Sequence, residues 1–157
     1  MASIRSGIGE NMEYIYLYKA KTTPKEKGEF NNVWVTGNLI VSNEKYYIHP
    51  VGNVVNVKNE IGRIIVMHEV IPDTICRCTG LKDKNSKLIW ENDIVRDKEG
   101  NCYKAFWQNN YYQFSWICVK SDIFQIGTKW DLYIWRSFEI AVIGNIFDNP
   151  ELLESEE

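Results

Sequence analysis

Four cysteines, at positions 76, 78, 102 and 118, and two histidines, His49 and His68, are the residues of this chain whose chemistry could hold a metal. Cys76 and Cys78 are two apart, so on a strand both sulfurs lie on one face. Cys102, Cys118 and the histidines would then complete four ligands. The usual cysteine knuckles with two to four intervening residues are absent, and small buried thiols serve as apolar packing residues, so no metal is expected. Glu91 and Asp93 form a second candidate. On a strand they face the same way, an arrangement suited to a divalent cation or a water-activating base, but no further acidic cluster accompanies them. His49 precedes a proline and His68 lies in an apolar stretch, and both read as structural hydrogen-bonding residues. The chain has no Gly-rich phosphate loop, HExxH, G-x-S-x-G or GxGxxG motif. It is therefore read as non-enzymatic, with no catalytic residue and no cofactor.

Binding is the other chemistry to weigh. Lys82, Lys84, Lys87, Arg96, Lys98 and Lys104 are interleaved with Asp83, Glu91, Asp93, Asp97 and Glu99. This alternation describes a solvated strand-and-turn surface first and a phosphate-binding patch second, because phosphate binders concentrate their cations. Aromatic residues make up 13% of the chain, including six tryptophans. Such rings either fill a core or stack on nucleobases. The segment from Lys129 to Arg136, with Trp130, Trp135 and Arg136, combines rings with two basic residues and reads as an interaction edge. The candidate contact set is thus Lys82, Lys84, Lys87, Arg96, Lys104, Trp130, Trp135 and Arg136.

Hydrophobic residues at 45% and charged residues at 25% of 157 are ordinary for one globular unit. No apolar run approaches the roughly 20 residues of a membrane span. Residues 1–11 are too polar for a signal peptide and read as an extension or a cloning remnant. With no export signal, the cysteines are expected to stay reduced. Five acidic and no basic residues lie from Asp148 to Glu157, so the net charge of −3 becomes +2 for the remainder.

Period-2 alternation dominates and predicts strands. It runs through Tyr14 to Tyr18, Val33 to Val41, Lys45 to His49, Val54 to Val57 and Ile64 to Ile71, giving an amino-terminal β portion over 12–71. A second portion, 72–147, begins after Ile71-Pro72. Within it Asp83-Lys84-Asn85-Ser86 is expected to turn between Cys76–Thr79 and Lys87–Trp90. A two-residue turn at Asn109-Asn110 would oppose Trp107 to Tyr112, Ala105 to Phe114 and Tyr103 to Trp116, all six on one apolar face. Lys104, Phe106, Gln108, Tyr111, Gln113 and Ser115 would share the other. After a last strand, Phe138 to Ile146, Asn149 can cap a helical turn that has Pro150 first and Glu151 next, with Leu152 and Leu153 packed back on the sheet. The acidic tail completes 148–157.

Several stretches of the chain match a known pattern. Thr79-Gly80-Leu81-Lys82-Asp83-Lys84-Asn85-Ser86-Lys87 running into Glu91-Asn92-Asp93-Ile94-Val95, and Val142-Ile143-Gly144-Asn145-Ile146-Phe147-Asp148-Asn149-Pro150-Glu151-Leu152-Leu153, resemble the YopX family of phage and prophage proteins. Tyr18-Lys19-Ala20-Lys21, Gly28-Glu29, Trp34-Val35-Thr36-Gly37-Asn38-Leu39 and Val70-Ile71-Pro72-Asp73-Thr74 extend the likeness. Ser86 and Asn92 depart from it where the family usually has Gly, and Cys78 departs where it usually has an aromatic residue. Asn92 can hold a positive φ, whereas Ser86 fits such a turn less well. The resemblance implies a mainly β fold: an amino-terminal strand layer, a carboxy-terminal SH3-like or partly open β-barrel and a short final helical turn. It further implies a phage or prophage setting and no reaction; with the absence of catalytic motifs and of an export signal, the expectation is an accessory binding protein of that setting, a homo-oligomer in the cytoplasm of the bacterial host. Nucleic-acid binding is the alternative function, as is anti-defence action by capture of a host nucleotide or inhibition of a host protein.

Overall fold

The computed structural model describes residues 17–24, 31–51, 66–131 and 139–153. Trp135, Arg136, the Tyr14–Tyr16 and Val54–Val57 alternations and Gly28-Glu29 lie outside the described residues. The chain divides into two compact units between Arg77 and Cys78.

In the first unit β1 (Tyr18–Lys21), β2 (Trp34–Ser42), β3 (Lys45–Pro50) and β4 (His68–Glu69) pair antiparallel in the order β4-β3-β2-β1. The β2–β3 connection is a two-residue turn with Asn43 at φ 50° and Glu44 at φ 62°, the double left-handed geometry whose twist matches a hairpin. Ala20, Ile48 and Val70 are the buried centre, with Tyr18, Val35, Leu39, Tyr46 and Ile75 packed around them. At Gly37 a side-chain carbon would be driven into the His49 carbonyl, which explains the glycine of the Trp-Val-x-Gly stretch. Pro72–Thr74 is a short 3-10 turn, and the Thr74 hydroxyl donates to Ile71 O at 2.8 Å while accepting from Lys21 N at 2.9 Å.

Strand β5 (Cys76–Lys82) passes from one unit to the other. Its first residues pair with β1, and from Cys78 it pairs with β6 (Leu88–Trp90). Between Cys78↔Trp90 and Lys82↔Leu88 the register shifts, because β5 carries extra residues at Gly80, φ 77°. Thr79 closes this bulge: its hydroxyl donates to Ile89 O at 2.7 Å and accepts from Leu81 N at 3.1 Å. The Thr-Gly-Leu sequence is thus a bulge signal.

The second sheet has the order β10-β9-β8-β7-β11, where β7 is Asp93–Arg96, β8 Cys102–Gln108, β9 Gln113–Lys120, β10 Lys129–Asp131 and β11 Ala141–Asn145. The fold is mainly β, as expected, but this sheet is open, with β10 and β11 as its edges, and does not close into a barrel. One face carries Tyr103, Ala105, Trp116 and Cys118, which with Ile89, Val95 and Ile140 form the buried core. The β8–β9 pairing joins Trp107 to Phe114, Ala105 to Trp116 and Tyr103 to Cys118. The connection is therefore four residues, Asn109–Tyr112, and the register differs by two from the expected one. A two-residue shift keeps every strand side chain on its face, so the apolar face survives, with Cys118 gained and Tyr112 displaced into the turn. On the opposite face Ser115 is fully buried rather than solvated, and its hydroxyl accepts from Gln108 Nε2 at 2.7 Å.

The last described element is a 3-10 turn, Pro150–Leu153. Asn149 does not cap it with its side chain. Its Oδ1 instead accepts from Asn145 N at 3.4 Å, occupying the space that a side chain at Gly144 would need. Asn145 fixes the preceding turn instead: its Oδ1 accepts from Phe147 N and Asp148 N, both at 3.0 Å. Leu152 packs near Gly144, whereas Leu153 is exposed. No helix among the described residues is long and apolar enough to cross a membrane.

Candidate functional site

The turn between β5 and β6 is built around one carboxylate. Asp83 Oδ1 accepts from Asn85 N at 2.8 Å and Lys87 N at 2.9 Å, and Oδ2 accepts from Val142 N at 2.9 Å. The Asp83 backbone donates to Lys87 O at 2.8 Å and accepts from Ser86 N at 2.9 Å. Ser86 adopts φ 64°, the left-handed conformation expected of the glycine it replaces. Asp83 is 5% exposed. Burial pulls its carboxyl upward, but the N–H groups of Val142, Lys87 and Asn85 together outweigh that and hold it below the ordinary carboxylate value.

The next two aspartates behave alike. Asp93, 2% exposed, accepts from Trp90 N at 2.9 Å across a turn in which Asn92 has φ 67°. Glu91 sits in that turn rather than on β7, so Glu91 and Asp93 do not form the carboxylate pair that strand alternation would give. Asp97, 8% exposed, accepts from Asn101 N at 2.8 Å, Asn101 Nδ2 at 2.9 Å and the Tyr103 hydroxyl at 3.0 Å. Burial, then the bond to Asp97, push the Tyr103 hydroxyl far above its usual pKa. Asn101 in turn accepts from Ser121, whose oxygen receives Ile123 N at 3.1 Å and Phe124 N at 2.9 Å.

With these three carboxylates turned inward, Lys84, Lys87 and Arg96 face outward without a carboxylate partner among the described residues. Lys82, Lys84, Lys87 and Arg96 are exposed and Lys104 is half-buried. Lys84, Lys87, Arg96 and Lys104 have no ion-pair partner among the described residues. Lys98 and Glu99 form an exposed pair at 3.6 Å. Backbone bonding places the segments that carry three of the cations side by side: Lys84 N donates to Ile140 O, Ala141 pairs with Arg96, and Ile94 pairs with Lys104. Lys104 shares its sheet face with Phe106 of β8 and, through Ile117, with Lys129 of β10, whose ammonium lies 5.4 Å from the Phe106 ring centre.

Trp130 is placed differently. It pairs with Trp116 and packs against the core, edge-on to Tyr103 at 5.6 Å and to Phe124 at 5.2 Å. Trp130, part of the expected interaction edge, is half-buried and commits one side of its ring to the core. Phe106 and Lys129 are the ring and cation that join Lys104 instead, and sequence reading singled out neither as a pair. Their signal was present: one face of a half-buried strand followed by Lys129 at the start of the next.

All four cysteines are buried and free, and burial raises the Cys118 thiol first among its causes. Cys76 and Cys78 occupy alternate buried positions of β5, as their spacing implies. No group of three or more His, Cys, Asp or Glu side chains gathers among the described residues. His49 lies opposite Asn38, and its Nδ1 is buried without a hydrogen-bond partner, unlike the bonded histidine expected there.

Against known proteins, no curated protein matches the chain. The family model described as YopX protein matches residues 10–154, and this chain, with its Asp83 turn and its Gly144-to-Asn149 lock, belongs to the YopX family.

Proposed function

We propose that this chain is a non-enzymatic, phage- or prophage-encoded accessory protein that binds nucleic acid in the cytoplasm of a bacterial host. Lys84, Lys87, Arg96 and Lys104 make the phosphate contacts. One observation carries the reading: Asp83, Asp93 and Asp97, which in sequence neutralise this stretch, spend their carboxylates on backbone N–H groups and side chains of their own unit. The outward surface is consequently more basic than the sequence alternation implies. Exposed cations without carboxylate partners attract a polyanion and release its counterions on contact.

The test is fluorescence anisotropy of labelled single- and double-stranded oligonucleotides, titrated with protein between about 50 and 200 mM salt. The full chain binds at low salt, and log K falls linearly with log salt. A K84A/K87A/R96A/K104A variant flattens that slope by roughly 3 for a single strand, since each lost phosphate contact removes about 0.7. Absence of binding at low salt, or a variant with the wild-type slope, would sink the reading. Light scattering on the same samples tests the expected homo-oligomer.

A further inference from the structure

The β8–β9 turn holds the two most exposed large apolar side chains among the described residues, Tyr111 at 71% and Tyr112 at 82%. Tyr112 stands at φ 52°, a conformation that bulky residues rarely adopt. Within the turn Tyr111 N donates to Gln108 O at 3.2 Å, and the Gln108–Gln113 strand pair lies directly below it. Neither ring has a hydrogen bond, ring contact or cation contact among the described residues. Two rings are thus held largely in water, one of them by a backbone that a glycine would adopt more readily, and neither belongs to a core cluster. The strands rising to this tip carry Lys104, Phe106 and, on the neighbouring strand, Lys129 on one face. Lys104 lies four residues below Gln108, about 14 Å along the strand.

We infer that this tip is a base-stacking finger and that the nucleic acid taken is single-stranded, a proposal that rests on the phosphate-binding reading above. The chemistry selects the class of ligand. Stacking on an exposed ring needs a free base face, which an unpaired strand offers and a duplex, whose bases stack on one another, withholds. The cations below the tip supply the complementary charge for the backbone of the same strand. Tyrosine suits this use because its ring is rigid, with few torsions to immobilise on binding.

The experiment compares a labelled mixed-sequence single strand with the duplex made from it, using the full chain, a Tyr111→Ala/Tyr112→Gly variant and a Tyr111→Phe/Tyr112→Phe variant. The wild type prefers the single strand. The first variant weakens single-strand binding roughly tenfold or more, the usual scale for losing a stacked base, with its salt slope preserved and its thermal midpoint no lower than that of the wild type. The phenylalanine variant binds as wild type, because the ring and not the hydroxyl carries the contact. Equal or tighter duplex binding overturns the inference. So does a first variant of unchanged affinity, whether or not its mass falls to show that the tip joins subunits; the phosphate-binding reading then stands if the salt slope is intact. Failure of the wild type to bind any strand at low salt overturns both.

Discussion

The turns Asp83–Lys87 and Asn109–Tyr112 solve the same problem in opposite ways. Each reverses an antiparallel strand and each holds a non-glycine residue in the left-handed region, Ser86 at φ 64° and Tyr112 at φ 52°. In the first, five hydrogen bonds from one buried aspartate and its backbone fix the chain, so the strained residue is outvoted by its neighbours. In the second, Tyr111 N to Gln108 O is the bond found inside the turn, above the Gln108–Gln113 strand pair, and two rings stand in solvent. Backbone strain that the surroundings compensate belongs to the framework. Strain that folding does not compensate points towards a contact made outside the chain.

Removing the Asp83 carboxylate should break this comparison most severely. Asp83→Ala leaves three backbone N–H groups without their acceptor and is expected to cost about 3–5 kcal/mol in denaturant unfolding, whereas Tyr111→Ala should cost under about 0.5 kcal/mol. Acid gives a reversible version of the same loss. The Asp83 carboxyl is held below its ordinary value in the fold. Its stabilisation is therefore complete above about 3.9, the unfolded value, and disappears as pH falls through the lower folded one. Thermal midpoints of wild type and Asp83→Asn should converge over that interval and differ above it. Amide exchange sharpens the contrast at single residues: Asn85 and Lys87 are expected to be protected well above Tyr111 and Tyr112. The smallest effects are glycine substitutions. Tyr112→Gly should raise stability by roughly 1 kcal/mol, and Ser86→Gly by about 0.5 kcal/mol after the added unfolded-state entropy is counted.

Alternation in the sequence reports which face a side chain takes, and little else. It located β2, β3, β8 and β9, with the Asp83 turn signal adding β5 and β6, and it placed Tyr103, Ala105, Trp107, Phe114 and Trp116 together. It could not separate registers two residues apart, because both leave the faces unchanged; the left-handed Tyr112 lengthened the turn and decided between them. The three-residue β10 was too short to show a period, so the sequence did not reveal that Trp130, on this edge strand, also packs against the core. Charge suffered from a similar limit. Counting Asp83, Asp93 and Asp97 against nearby lysines assumes that all of them reach solvent, and an aspartate beginning a turn can spend its carboxylate on the amides that follow. That signal was legible in Asp83-Lys84-Asn85, where the side chain bonds the amide two residues on. The motifs that reveal the family, from Thr79 through the Asp83 turn and from Gly144 to Asn149, prove to be bulges, caps and close backbone approaches. Recognition of the family therefore comes from its framework, and the proposed contacts lie on residues that the framework leaves outside.

The most direct test is the dissociation constant for a labelled single strand, measured side by side on Ser86→Gly and Tyr112→Gly. Both changes relieve the same backbone strain in a turn of the same unit. The account predicts that Ser86→Gly binds as wild type while Tyr112→Gly loses roughly tenfold in affinity with its fold intact. Equal affinity of the two variants would contradict it, because the strained tip would then be no more than a turn.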